Sequence, residues 1–259
     1  MDTYRLVAGS RRGERVVKAT PTKSRTPFYG LLLLLVAAGG AGIWYSMNAS
    51  KPKPITLDAA ATNLPAAEGY LRGNPNAPVT IIEFGDFECP SCGRFAMVEE
   101  PDIRTRIIDA GLANFRYYDF PLPVHPNTLS ASLAASCVAD QGKFWEMHDA
   151  IFAGQDEWAG ASGVTNPRKM LDGYAKKLGV DMKVYGECMS TQKNLPRIQA
   201  NQKAGTDRNV QSTPTLIVGD KMFPGGLRFD DLKKLVDSLA KAAPAAAATP
   251  AKPDSAKKP

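Results

Sequence analysis

Two cysteines separated by two residues follow a short apolar run and precede a helical pattern, and this placement constrains the fold more than any other feature. The run, residues 79–85, reads VTIIEFG, and its β-branched and aromatic content predicts a buried strand. Cys89-Pro90-Ser91-Cys92 comes next, followed by apolar residues at helical spacing in residues 93–110, with a bend expected at Pro101. We therefore expect an α/β protein in which a strand passes into a helix through the two cysteines.

The position of the cysteines also predicts their chemistry. Cys89 would lie at the amino end of the helix, where free N–H groups and the helix dipole favour a thiolate. Pro90 suits the first turn, and Cys92 follows within disulfide reach. Cys89 is then the nucleophile and Cys92 the resolving thiol. The alternatives are an inert disulfide and half of a zinc site, but the sequence has no second C-x-x-C or H-x-x-x-H to complete such a site.

The remaining elements follow from patterning. Residues 113–120 read as a second strand, and helical patterns dominate residues 127–209. Residues 215–218 and 222–223 flank a Gly219-Asp220 turn and predict a hairpin. A final amphipathic helix is expected over residues 230–242.

Three motifs resemble those of the DsbA-like thiol:disulfide oxidoreductases of the thioredoxin superfamily. They are Gly73–Phe84 followed by Phe87-Glu88-Cys89-Pro90-Ser91-Cys92, then Gln141–His148, and Ser212–Leu216. The resemblance implies a thioredoxin fold with an inserted helical subdomain at about residues 123–194. It also implies thiol-disulfide exchange with no cofactor other than a redox-active Cys89-Cys92 disulfide, and no metal. Pro90 and Ser91 are then expected to contact substrate.

The resemblance assigns roles to three further residues. Thr213-Pro214 stands where the family has a cis-proline facing the active-site disulfide, which would leave the Thr213 backbone open to an extended substrate. Taken alone, Pro214 could equally be a trans proline that opens an edge strand. Glu83 corresponds to an acidic residue beneath the site, where a buried carboxyl would have a raised pKa and could exchange a proton with Cys92. The alternative is a glutamate at a strand end that reaches solvent.

Other polar residues near these motifs have less specific interpretations. Asp86 and Glu88 would oppose thiolate formation if they were buried, so we interpret them as solvated residues at the rim of the site. His125 and His148 are interpreted as packing or surface residues.

Cys137 and Cys188 lie 51 positions apart in the helical region. In an oxidising compartment four cysteines favour pairing, which predicts a structural disulfide between these two. Buried free cysteines that behave as small apolar residues are the alternative.

An apolar segment precedes the redox motif. Residues 28–47 form a run of twenty residues without a charged group, with aromatic residues at both ends. This length predicts one transmembrane helix. Residues 1–27 carry seven basic and two acidic side chains, so the positive-inside rule places them in the cytoplasm and the later residues outside. A cleaved signal peptide is the alternative, but no good A-x-A site follows the run.

Composition divides the rest of the chain. Residues 48–69 read as an extended linker, residues 70–242 as the thioredoxin-like domain, and residues 243–259 as a disordered Ala/Pro/Lys tail. The domain holds 20 basic and 21 acidic residues, although the whole chain has a net charge of +6. This balance argues against a nucleic-acid-binding domain.

Together these observations predict a single-pass membrane protein whose periplasmic or extracellular domain introduces disulfides into unfolded or partly folded secreted proteins. A membrane quinone-linked thiol oxidase or another redox partner would re-oxidise it. A disulfide isomerase or reductase is the alternative, because Thr before the cis-proline is typical of isomerase relatives. A less favoured alternative is a copper carrier that binds the metal through both thiols and Met97.

The charge asymmetry around residues 28–47 predicts the topology of the chain. A reporter enzyme that is active only in the cytoplasm, fused after Ala242, should be silent, whereas the same reporter fused before Phe28 should be active. Activity of the fusion after Ala242 would contradict the assigned orientation.

Overall fold

The computed structural model describes residues 26–49, 55–56, 67–160 and 166–242. The amino-terminal unit contains helix α1 (Thr26–Ala49). The predicted membrane span coincides with α1, but no helix within the described ranges is both long and apolar enough to cross a membrane. The transmembrane helix therefore stays a prediction. Of the predicted cytoplasmic segment, residues 1–27, only the last two residues, which begin α1, are described. The predicted tail, residues 243–259, lies outside the described residues.

The second unit is built around a six-stranded sheet with the order β1-β6-β5-β3-β4-β2. Its strands are β1 (Ile55–Thr56), β2 (Tyr70–Arg72), β3 (Thr80–Gly85), β4 (Asn114–Asp119), β5 (Thr215–Val218) and β6 (Lys221–Pro224). β3 pairs with β4 in parallel, and every other pairing in this sheet is antiparallel. β3 is therefore a central strand, as its apolar run predicts.

The helices occur along the chain in the expected order. They are α2 (Pro90–Val98), α3 (Glu100–Ile103) with a π-helical turn (Arg104–Ile108), α4 (Thr128–Ala139), α5 (Phe144–Ala153), α6 (Gln155–Trp158), α7 (Pro167–Lys177), α8 (Met182–Thr191), α9 (Leu195–Thr206) and α10 (Phe229–Ala242). Helices α4 to α8 lie between β4 and α9 and form the helical insertion. The thioredoxin-like α/β fold with a helical insertion agrees with the sequence prediction.

Alternation along β3 decides which side chains lie near the cysteines. Ile82 and Phe84 pack on one face in a core cluster with Tyr118 and Ile217. Ile81 packs on the opposite face, in the cluster that contains both Cys89 and Cys92, the helices of the insertion and α10. Glu83, two residues after Ile81, belongs to that same face. A carboxyl group is thereby placed in the core on the cysteine side of the sheet.

The helix after the cysteines begins at Pro90, in agreement with the predicted position of Cys89 at its amino end. It is interrupted at Glu99, two residues before Pro101, where the bend is expected because the proline ring removes an N–H from the helical ladder. Within the predicted linker, residues 48–69, Ile55 and Thr56 form the short strand β1, which pairs with Met222 and Lys221 at the edge of β6. An unpaired strand edge offers hydrogen bonds that composition does not reveal.

The insertion is cross-linked by a disulfide between Cys137 on α4 and Cys188 on α8, with a Cα–Cα distance of 5.8 Å. Both residues are buried, and the link joins positions 51 residues apart. It ties the second half of the insertion to the helix that follows β4.

Removing this link should destabilise the protein without changing its redox chemistry. We expect the double substitution Cys137→Ala and Cys188→Ala to lower the free energy of unfolding by about 4 kcal/mol, because a loop of this size loses its closure constraint in the unfolded chain. Denaturant unfolding measures the loss. An unchanged stability would contradict a structural role for the bond.

Candidate active site

The two cysteines lie at the start of helix α2 with different exposure. Cys89 is the N-cap residue, with φ −71° and ψ 121°, and Pro90 occupies the first helical turn. The thiols of Cys89 and Cys92 are free, and 7% of Cys89 and none of Cys92 is exposed to solvent. Pro90 and Ser91 are exposed beside them. A partner molecule can therefore reach Cys89 and the two intervening residues, but not Cys92.

The environment of each sulfur separates the pKa values of the thiols. The pKa of Cys89 is lowered to about 5, chiefly by the hydrogen bond from the Cys92 thiol, with further contributions from the backbone N–H groups of Ser91 and Cys92. Burial raises the pKa of Cys92 well above its ordinary value. At neutral pH the dithiol therefore carries one negative charge, on the Cys89 sulfur.

The predicted proline site lies against the Cys89 thiol. The Thr213–Pro214 peptide bond is cis. The Cys89 sulfur lies 3.4 Å from the carbonyl oxygen of Thr213, across 124 positions of sequence. The Pro214 carbonyl accepts a hydrogen bond of 2.8 Å from Gly225, whose φ of 83° is in the region that favours glycine. Thr213 and Pro214 thus form the wall of the site facing Cys89.

Glu83 lies beneath the cysteines and is 1% exposed. Neither of its carboxyl oxygens has a hydrogen-bond partner among the described residues. Burial, then the charges of Glu100 and Cys89, raise the pKa of Glu83 well above its ordinary value. The charge of Glu83 in turn raises the pKa of Cys92. The arrangement is that of a protonated carboxyl close to a protonated thiol, whereas the role of Glu83 in proton transfer stays a prediction.

The interpretation of Asp86 and Glu88 as solvated rim residues is wrong. Asp86 is fully buried and accepts hydrogen bonds from the backbone of Glu88 and Leu122 and from the Thr128 hydroxyl, while His125 Nδ1 lies 2.8 Å from its carboxylate. Backbone N–H groups and hydroxyls satisfy this carboxylate, which permits its burial.

Glu88 is 4% exposed, and hydrogen bonds satisfy its buried carboxylate in the same way. Its carboxylate accepts hydrogen bonds from the Asn127 backbone at 2.6 Å, the Asn127 side chain at 3.0 Å and the Gly160 backbone at 2.6 Å. Glu88 therefore ties the residue before Cys89 to two loops of the helical insertion. Asp86 does the same for the loop at Leu122.

Sequence reasoning missed Gln155, which lies on α6 of the insertion. Its side-chain amide donates hydrogen bonds to the backbone carbonyls of Phe87 at 2.7 Å and Cys89 at 3.0 Å. A Cβ atom on Gly93 would lie only 2.4 Å from the Gln155 side-chain oxygen, so a larger residue at this position would displace the Gln155 amide from its present position. The glycine after Cys92 was a visible signal, but its partner 62 positions later was not.

One buried cluster could in principle hold a metal ion. Glu100, His148 and Asp149 bring one ligand atom each to within 4.8 Å of one another. Arg104, however, donates to Glu100 over 2.9 Å and to Asp149 over 2.5 Å. Because the guanidinium already pairs with both carboxylates, we assign no metal to this cluster.

Comparison with known proteins agrees with this geometry. The thioredoxin family profile matches residues 66–238, which include every element from β2 to β6 and most of α10. The chain belongs to the thioredoxin family. The solved structures that resemble this fold include proteins named DsbA. The crystal structure of Wolbachia pipientis α-DsbA1 matches 72% of this chain and 98% of that chain, with a TM-score of 0.62 and 21% identity.

Two curated relatives place this thioredoxin domain in different proteins. A Na(+)/H(+) antiporter NhaA 1 from Salinispora arenicola is 36% identical over 172 residues, which are 65% of this chain and 24% of that protein. The match thus spans about a quarter of the antiporter sequence. Disulfide bond formation protein D from Bacillus subtilis is 26% identical over 185 residues, which are 69% of this chain and 80% of that protein.

The hydrogen bond between the thiols predicts how Cys89 titrates. Alkylation of the reduced protein should occur at Cys89 and should follow a pKa near 5, whereas Cys92 should stay unmodified until the protein is denatured. Cys92→Ala removes the largest stabilising contact of the thiolate and should raise the pKa of Cys89. Thiolate absorbance as a function of pH measures both values. An unchanged Cys89 pKa in Cys92→Ala would contradict this assignment.

Proposed function

We propose that this protein is an extracytoplasmic thiol-disulfide oxidoreductase that introduces disulfides into unfolded or partly folded secreted proteins. The observation that carries the proposal is the divergence of the two thiol pKa values, with that of Cys89 near 5 and that of Cys92 raised. A stabilised thiolate favours the reduced form of the pair, and a pair that is stable when reduced is a strong oxidant. Similarity to disulfide bond formation protein D of Bacillus subtilis supports the same reaction.

The exposure of the two sulfurs sets the order of the steps. A client thiolate attacks Cys89, the Cys89–Cys92 bond breaks, and the electron pair leaves on Cys92, which takes up a proton. A second client thiolate then attacks the client sulfur of the mixed disulfide and releases Cys89 as a thiolate. The client loses two electrons and the cysteine pair gains them. The low pKa of Cys89 makes it a good leaving group in this last step.

The wall opposite Cys89 offers a place for an extended client segment. The Thr213 carbonyl lies 3.4 Å from the Cys89 sulfur, so a client backbone beside Thr213 would bring its own cysteine close to the reacting atom. Pro90 and Ser91 supply the exposed rim on the other side. We assign client binding to Thr213, Pro90 and Ser91, and the reaction itself to Cys89 and Cys92, with Pro214 shaping the site.

The location and partner of the enzyme are further parts of the proposal. The apolar segment at residues 28–47 and the basic residues before it favour a single-pass anchor with the catalytic domain outside the cytoplasm. The Cys137–Cys188 disulfide supports an oxidising compartment. A membrane quinone-linked thiol oxidase would accept the two electrons from the reduced pair. No cofactor besides the Cys89-Cys92 disulfide is needed for these steps.

The test uses an unfolded, reduced client that contains two cysteines. The oxidised protein should convert the client to its disulfide form and itself become reduced, whereas Cys89→Ser should be inactive. Cys92→Ala, mixed instead with the client in its disulfide form, should accumulate a mixed disulfide, because the Cys89 thiolate attacks the client disulfide and the thiol that would release the client is missing. Mass spectrometry of acid-quenched samples identifies both species. A protein that reduces client disulfides but leaves reduced clients unchanged would support the reductase alternative instead.

A further inference from the structure

The polar atoms beneath Cys92 form a buried group that the exchange steps above do not explain. Five of these atoms are buried and have no hydrogen-bond partner among the described residues: both carboxyl oxygens of Glu83, Oε1 of Glu100, Nε2 of His148 and the hydroxyl of Tyr117. Native proteins satisfy nearly all buried polar atoms, so several unpartnered atoms on neighbouring residues call for an explanation. We refer to Glu83, Glu100, Tyr117 and His148 as the acid cluster.

The acid cluster is continuous with the redox pair at one end. Glu83 is paired with Tyr117 in the β3–β4 register, and the charges of Glu83 and Cys92 both raise the pKa of Tyr117. The charge of Glu100 raises the pKa of Glu83. Glu83 and Tyr117 are thus neighbours in the sheet, and all four residues of the acid cluster are buried.

The other end of the acid cluster reaches the protein surface. His148 Nε2 lies 3.7 Å from Glu100 Oε1, and His148 Nδ1 lies 2.9 Å from Asp149, whose side chain is 42% exposed. His148 itself is fully buried among aromatic rings, including Tyr117 at 5.1 Å between ring centroids. Burial raises the pKa of Asp149, but its hydrogen bonds with His148 and Arg104 outweigh that effect and hold the pKa below its ordinary value. Asp149 is thus an ionised carboxylate at the surface that is hydrogen-bonded to the buried imidazole of His148.

We propose that Glu100 and His148 relay protons between Glu83 and the surface at Asp149, so that the fully buried Cys92 can gain and lose its proton during disulfide exchange. This inference rests on the proposed function. When the Cys89–Cys92 bond breaks, Cys92 takes a proton from Glu83, Glu83 is re-protonated through Glu100 and His148, and solvent supplies the proton at Asp149. When the pair is re-oxidised, the proton leaves by the same groups.

The charges around the relay are consistent with proton transfer rather than cation binding. The charged and titratable groups that act on the relay or its partners include Cys89 and Cys92 at the start of α2, Asp86 after β3, Tyr117 and Asp119 from β4, Glu100 and Arg104 from α3 and the following turn, Asp149 from α5, and Arg72 from β2. Arg104 hydrogen-bonds one oxygen of Glu100 and leaves the other facing His148. Arg104 therefore orients Glu100 without occupying the oxygen that the relay uses.

Glu100 and His148 do not touch the sulfur atoms, so they are positioning residues that act through Glu83. The test is stopped-flow reduction of the oxidised protein by dithiothreitol, from a pH below the Cys89 pKa to one above that of a free thiol. Glu100→Gln and His148→Gln should each slow reduction by about tenfold, which is less than the loss expected on removal of a general acid that contacts the reacting atoms. Each substitution should also alter the pH dependence of the reduction rate. Asp102→Asn, an exposed carboxylate on the same helix as Glu100, is the matched control and should leave both unchanged.

A double substitution distinguishes a proton relay from an effect on packing. If both residues act through Glu83, then Glu100→Gln should cause no further slowing in a Glu83→Gln protein. Equal slowing in both backgrounds, no slowing by Glu83→Gln, or a normal rate and pH profile for Glu100→Gln would each overturn the relay. If His148→Gln does not fold, Glu100→Gln decides alone, because glutamine retains the hydrogen bond with Arg104. Failure of the unmodified protein to react would instead contradict the proposed function.

Discussion

The hydrogen bond between the Cys92 thiol and the Cys89 sulfur is the interaction on which the rest of the site depends. It is the largest cause of the low Cys89 pKa, and it forms because one helical turn places the fully buried Cys92 sulfur beside the more accessible Cys89 sulfur. The strand before α2 and the proline wall at Thr213 bring the remaining groups to these two atoms. Without that contact the helix amino terminus would act alone, and the thiolate would lose its main stabilising partner.

Three acidic residues within six positions occupy three different electrostatic environments. Asp86 and Glu88 are buried but accept several hydrogen bonds each, so they hold loops of the insertion against the active site. Glu83 is buried with no partner within the described chain, so its neutral form is favoured. Hydrogen bonding, rather than burial alone, separates a structural carboxylate from a carboxyl that can exchange protons.

The sequence predicted the elements that depend on local patterning. Strand β3, the Cys89 and Cys92 positions and the β5–β6 hairpin follow from periodicity and turn chemistry, and the resemblance predicted the insertion. Neither the sequence patterns nor the resemblance predicted the long-range polar contacts. Gln155 reaches the backbone of Phe87 and Cys89 from 66 or more positions away, and Asp86 is buried because of partners 36 to 42 positions away. Such contacts depend on how the insertion packs over α2, which no local pattern encodes.

The reduction potential of the Cys89-Cys92 pair tests the central claim most directly. Equilibration of the protein with glutathione or dithiothreitol buffers, followed by quantification of the oxidised fraction, measures it. A Cys89 thiolate stabilised by Cys92 predicts a potential well above the thioredoxin value of about −270 mV and toward the value of about −120 mV of a strong oxidant. A potential near or below about −270 mV would contradict the account and leave reduction of disulfides as the favoured reaction.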